Sequence, residues 1–321
     1  MRAGAMAMAE QHRETEGAPA PQTEAVAPRE AARETEKRKV AFVLSGGGSL
    51  GSVQVGMAKA LFEAGIAPDF VVGSSVGAIN AAFICGNPTL AGIQALERIW
   101  LSLRAKELFP TGLIGSALRI WRKKNYLISN HGMRRLLETH LPYASLGETK
   151  LTCLLIATDI LTGEQVVLRA GNIVDAVLAS SALPGIFPTI ELAGRFLFDG
   201  SITSHTPLSV AAEYGATEIF ILPAGYACTL QKKPTGVIDL FLHALNILMG
   251  QQFLRDIELY RRDIRIHILP PMMQQGTFFN DLSRTAEYLA SSYRSTKEWL
   301  AAGGMETFRI PGKLDTPNQW L

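Results

Sequence analysis

The chain has 321 residues, of which 47% are hydrophobic and 19% charged, and a formal net charge of +2. That length is enough to bury a substantial core in one large domain, and the near-neutral charge excludes a nucleic-acid binder acting through bulk basicity. The three cysteines, Cys85, Cys153 and Cys228, stand far apart in apolar surroundings. They fit neither a disulfide framework nor a metal knuckle and suit a reducing compartment.

Residues 1–38 are rich in Ala, Glu, Arg and Pro with almost nothing large to bury, which predicts a disordered tail. From Val40 the texture changes. "KVAFVLS" reads as a strand, and the spacing of Val53, Met57, Leu61 and Phe62 predicts a helix over 51–64. "DFVVG" is a second buried strand and "VGAINAAFICG" a second helix. Two strand–turn–helix units in succession predict an α/β fold with a mostly parallel sheet and helices on its faces.

Residues 90–145 read as mostly helical and hold a basic stretch, Arg98 to Arg135, with nine Lys or Arg against one acid. "TKLTCLLIATDI" and "GEQVVLR" are strands joined at Thr162-Gly163 as a hairpin, and "NIVDAVLASSAL" is a helix stopped before Pro184. "RFLFDG", "ATEIFILPA" and "DIRIHILPP" are further strands, and helices fill 236–261 and 280–301. The expected organisation is one folded domain over 39–310 with an irregular segment at 311–321.

The most apolar long stretch, "TGVIDLFLHALNILMG", is interrupted by Asp239, His243 and Asn246 and does not read as a membrane span. The first residues turn charged before any signal-peptide core. A cytoplasmic location is expected, with attachment to the inner face of a membrane left open.

Two glycine turns carry the chemistry. Gly46, Gly48 and Gly51 satisfy G-x-G-x-x-G after a strand, a pattern that serves a dinucleotide, a phosphate or an oxyanion. A dinucleotide site needs an acid closing the second strand. Asp69 enters that strand instead of leaving it, and Gly73, Ser74 and Ser75 stand after it with no acid for a ribose.

The second turn, Gly73 to Gly77, is G-x-S-x-G, in which small flanking residues let a strand reverse sharply into a helix and push the serine out over the sheet. Ser75 is the candidate nucleophile and Ser74 takes the tighter inner position. A serine hydroxyl needs a base. His12 falls in the tail, His131, His140 and His243 fall on predicted helices, and His267 alternates within a strand. His205, in the loop after "FDG", is the rival to Asp199, which follows an apolar strand with Gly200 beside it. Backbone amides of Gly47 and Gly48 then offer fixed donors for a tetrahedral oxyanion, where side chains would block the carbonyl.

These blocks resemble the patatin-like phospholipases: "GGGSLG" at 46–51, "GSSVG" at 73–77 and "DGS" at 199–201, with "ATDILTGE" at 157–164 and "ASSALPGIFPTIE" at 179–191 as lesser matches. The resemblance implies a three-layer α/β/α fold and a Ser75–Asp199 dyad without histidine, with an acyl-enzyme that water hydrolyses. It also implies lipid esters (phospholipid or lysophospholipid) as substrates, with no metal and no cofactor. Gly46, Gly51, Gly73, Gly77 and Gly200 shape the turns.

Two positions depart from the pattern: Leu50 stands where many members carry a basic residue, and Ser201 where Gly or Ala is usual. Ser201 is expected to bond Asp199 and lower its basicity. An acyltransferase of the same architecture, a Rossmann-type oxidoreductase using NAD and a non-catalytic lipid-binding protein are the alternatives.

Ile238, Phe241, Leu242, Leu245, Leu248 and Met249 form one helical stripe, for which core packing is the first expectation and a mobile lid the second. The basic 119–126 segment mixes Trp121 and Tyr126 with Arg119, Arg122, Lys123 and Lys124. It offers a peripheral membrane contact, or a solvated helix end. No nucleic-acid partner is expected, and oligomeric state is not legible.

Overall fold

The computed structural model describes residues 37–108, 125–224, 236–271 and 281–308. Residues 1–36 of the expected tail, the irregular end, Cys228, His12 and the basic cluster at 119–124 lie outside them. The described strands are β1 Val40–Leu44, β2 Phe70–Ser74, β3 Thr152–Asp159, β4 Gln165–Leu168, β5 Ile190–Leu192, β6 Arg195–Asp199, β7 Glu218–Leu222 and β8 Arg265–Ile268. The helices are α1 Gly51–Glu63, α2 Val76–Gly86, α3 Leu90–Ser102, α4 Ala105–Leu108, α5 His131–His140, α6 Ile173–Ser180, α7 Ser201–Ser204, α8 Leu208–Glu213, α9 Val237–Tyr260 and α10 Thr285–Ala301.

The strands form one eight-stranded sheet in the order β5-β6-β3-β2-β1-β7-β8, with β4 paired to β3 off that path. β3, β2, β1, β7 and β8 run parallel, and β4, β5 and β6 are antiparallel additions. Parallel strands must be covered on both faces, and the side-chain alternation of β1 shows that they are. Val40, Phe42 and Leu44 pack into one cluster with residues of α1, α2, α3, α5, α6 and α10. Ala41 and Val43 pack into another with residues of α8 and α9. The result is a three-layer α/β/α fold.

One register decides where the site falls. β2 lies on β3 with Ser74 opposite Ile156, and β6 lies on β3 with Asp199 opposite the next residue, Ala157. β4 is registered to Leu155–Thr158 and so takes the opposite edge of β3. β2 and β6 therefore follow one another along a single edge of β3, running toward each other. Their carboxyl ends meet.

One element was not anticipated in the sequence, and one expectation is corrected. The segment before β6, read in the sequence only as part of the block at 179–191, holds a short strand, β5. The stripe on α9 is not core over its first half: Phe241 is 52% and Leu248 66% exposed, and only Met249 of the stripe's described side chains is buried. The core contacts of α9 come from Phe253 and Ile257, further along the helix. Apolar residues recur on most sides of its first turns, so periodicity alone could not say which side faces in.

Candidate active site

β2 is buried throughout and ends at Ser74, and α2 begins at Val76. Ser75 alone makes the reversal, with φ 54° and ψ −124°, a backbone conformation that disfavours any side chain. The turn closes only because its flanks are glycines: a Cβ at Gly77 would sit 2.3 Å from the Leu44 carbonyl oxygen, and one at Gly73 2.4 Å from the Gly77 carbonyl oxygen. Ser75 is left part-exposed at the amino end of an eleven-residue helix, while Ser74 is buried beneath it.

Ser75 Oγ donates to Asp199 Oδ2 at 2.7 Å. Asp199 is 1% exposed. Its other oxygen, Oδ1, accepts the Ser201 N–H at 2.8 Å, and its backbone carbonyl accepts from Thr158 Oγ1 at 3.0 Å. Burial raises its pKa from the ordinary 3.8 to about 6, against the opposing hydrogen bonds from Ser75 and Ser201. Ser201 therefore acts in the expected direction, toward lower basicity, but desolvation outweighs it. The Ser201 hydroxyl lies 3.4 Å from that of Ser74, and Gly200 packs its Cα against β3, where a Cβ would be 2.1 Å from the Ile156 carbonyl oxygen.

The first glycine turn lies alongside. Gly47 (φ 155°) and Gly48 (φ 58°) both adopt positive φ, and a Cβ on Gly47 would strike that of Ala224 at 2.5 Å. The turn tightens through Leu50 N–H donating to the Gly47 carbonyl. Among the described residues no acceptor takes the N–H of Gly47 or Gly48. Gly51 is crowded by Val76 and Trp100, with a Cβ only 2.3 Å from Val76 Cγ2. The side chain of Leu50 is buried in the core cluster beneath the turn, away from solvent.

His205, the rival base, follows the short helix α7 and is buried with Nδ1 unpartnered among the described residues. Burial alone lowers its pKa to about 4, so the ring is neutral at ordinary pH. Its carbonyl accepts the Gly46 N–H at 3.0 Å, and its ring abuts Gly46, where a Cβ would be 2.9 Å from Nδ1 and 2.3 Å from Ser201 Oγ. His205 thus backs the glycine turn, and it is Asp199 that receives the Ser75 hydroxyl. His131 and His140 fall on α5, His243 on α9, and His267 on β8 bonded to Glu218 at 2.8 Å.

Two residues at the site were not singled out in the sequence. Ser180, fully buried at the end of α6, accepts the Ser75 N–H on its hydroxyl at 3.2 Å and the Gly200 N–H on its carbonyl at 3.2 Å. Asn80 donates to Gly51 O at 2.9 Å and Gln54 Oε1 at 2.8 Å, and accepts from Trp100 Nε1 at 2.9 Å, tying the two glycine turns together from below. Neither belongs to a short motif. Ser180 sits in the "ASSALPG" block, which was the one available signal.

A strand-turn-helix serine hydrogen-bonded to a buried carboxylate, beside a glycine turn with free amides, defines the class of serine acyl-transfer sites. Residues 42–212 match the family model described as patatin-like phospholipase, and the chain belongs to that family. It is 29% identical over 180 residues to an uncharacterized NTE family protein of Mycobacterium tuberculosis, covering 56% of this chain and 29% of that protein. It is 27% identical over 188 residues to patatin-like phospholipase domain-containing protein 7 of Rattus norvegicus, covering 58% of this chain and 14% of that one. The chain thus spans less than a third of the length of these curated relatives. Among solved structures, VipD from Legionella pneumophila superposes with a TM-score of 0.45 at 14% identity, over 83% of this chain and 67% of that one.

Proposed function

We propose that the protein is a serine hydrolase of lipid acyl esters, with Ser75 as nucleophile, Asp199 as its base and the Gly47 and Gly48 amides as the oxyanion hole. The observation that carries this reading is the 2.7 Å hydrogen bond from Ser75 Oγ to a carboxylate buried at 1% exposure. As Ser75 Oγ attacks the ester carbonyl, its proton passes to Asp199 Oδ2. The carbonyl oxygen takes up negative charge, which the Gly47 and Gly48 amides stabilise. Collapse expels the alcohol, which leaves with the proton from Asp199, and an acyl-Ser75 ester remains. Water then attacks that ester with Asp199 again accepting the proton, and Ser75 is regenerated as the acid departs.

The raised pKa of Asp199 fits this double duty: a carboxylate near pKa 6 is a better base than an ordinary one and still ionised at neutral pH. Family membership supports phospholipid or lysophospholipid esters as the substrate class. The test is release of fatty acid from lysophosphatidylcholine and of p-nitrophenol from p-nitrophenyl butyrate. The expected result is turnover by the wild type and a loss of at least ~1,000-fold in Ser75→Ala and Asp199→Asn. Retained turnover in either variant contradicts the dyad.

A further inference from the structure

The outer face of α9 changes character along its length. Its exposed described residues fall within an arc of ~120° at 100° per residue. Over the first turns that arc consists of Val237, Leu240, Phe241, Ala244, Ile247 and Leu248. Beyond them it continues as Gln251, Arg255 and Glu258, with Leu259 the one exposed apolar residue of the last turn. Val237 is 88% exposed and Leu240 58%. The opposite side of the same helix is held down by Met249, Phe253 and Ile257, all buried. Exposed apolar side chains on a folded protein are ordinary when scattered. Six in register on one helical face, followed by a change to polar residues on that same face, are not.

We infer that this arc is a docking surface for a lipid bilayer, entered by the amino-terminal turns of α9 with the waterline between Leu248 and Gln251. The chemistry of the arc selects the occupant. Over its six apolar positions no side chain carries a charge or a hydrogen-bonding group, whereas a protein partner of comparable contact area is normally matched by polar pairs. Hydrocarbon asks for none. From Val237 to Leu248 the helix is ~18 Å long, short of the ~30 Å of a bilayer core. No described helix is long and apolar enough to cross a membrane. The arc therefore lies in the interface and does not span it.

The placement has a use. Gln252, just past the waterline, donates from its side chain to the Thr203 carbonyl of α7. Thr203 follows Asp199 by four residues, and its hydroxyl lies 2.9 Å from that of Thr158, which in turn holds the Asp199 carbonyl. Docking by α9 brings the Ser75–Asp199 pair to the lipid surface. This use rests on the acyl hydrolase reading, although the apolar face does not.

The test is flotation with phosphatidylcholine vesicles, comparing Ser75→Ala, which keeps the lipid intact, with the same chain carrying Phe241→Asp and Leu248→Asp. These positions are exposed, so folding is retained, and the double variant with Ser75 in place hydrolyses p-nitrophenyl butyrate at the wild-type rate. Docking predicts that the double variant binds vesicles at least ~10-fold more weakly, while Arg255→Gln floats as before. Equal flotation of the double variant overturns the inference, and so does a parent that stays in the bottom fraction. A double variant that turns a dimer into a monomer without changing flotation overturns it in favour of a second copy of this chain. A protein that floats but hydrolyses no ester leaves docking standing and removes the hydrolase reading. One that hydrolyses the soluble ester but does not float does the reverse.

Discussion

Ser75 and Asp199 are each held in a state that costs stability. Ser75 occupies φ 54° without being glycine, a strain of order 1–3 kcal/mol. Ser75→Gly relieves it, and thermal unfolding is expected to show that variant more stable than Ser75→Ala by about 1 kcal/mol, both being inactive. Asp199 is raised from 3.8 to about 6 by burial, a displacement worth about 3 kcal/mol. Because the folded value lies above the unfolded one, the stability this group contributes is present below about pH 4 and is lost as pH rises through about 6. Asp199→Asn escapes that loss. Its melting temperature relative to wild type is expected to climb between about pH 4 and about pH 6 and then level off. A difference independent of pH would contradict the raised value. Activity is expected to run the other way: with Asp199 as the proposed base, kcat/KM is expected to fall about tenfold per pH unit below about 6, as its carboxylate is protonated.

At the scale of elements, the site depends on three turns brought together by buried polar groups. Asn80 bonds α1 and α3 from within α2, and Gln54 extends the link by donating to Ser45 O at 2.8 Å and Leu222 O at 3.0 Å at the ends of β1 and β7. Asn80→Leu strands Trp100 Nε1 and Gln54 Oε1 in the interior. It is expected to lower stability by about 2 kcal/mol or more in denaturant melts and to reduce ester turnover through displacement of the glycine turn.

The sequence could show these turns but not their bracing. Buried parallel strands such as "VAFVL" and "DFVVG" are continuous apolar runs that lead into glycine turns, so both the strand and its reversal can be read. Ser180 could not be read as a site residue, because a serine in a helix acquires its role only when the fold sets its hydroxyl under Ser75. β5 escaped for the opposite reason. It is three residues long at the sheet's edge, and the alternation of Ile190, exposed Glu191 and Leu192 is too short to stand out as a strand.

At the scale of the whole molecule, the two halves of the site come from segments 124 residues apart and meet because β2 and β6 share one edge of β3. Sequence patterns predicted the mostly parallel sheet, yet the antiparallel β6 that delivers Asp199 depends on register, which only the folded chain displays. α9 makes the same point, since its apolar first half admitted a core reading until the fold assigned its surroundings.

The measurement that tests the dyad most directly is the rate at which a fluorophosphonate modifies the protein, followed by peptide mass analysis at several pH values. Modification at Ser75 alone is expected, slowing as pH falls through about 6 and absent in Asp199→Asn. Modification at another residue, or undiminished labelling of Ser75 in Asp199→Asn, would contradict it.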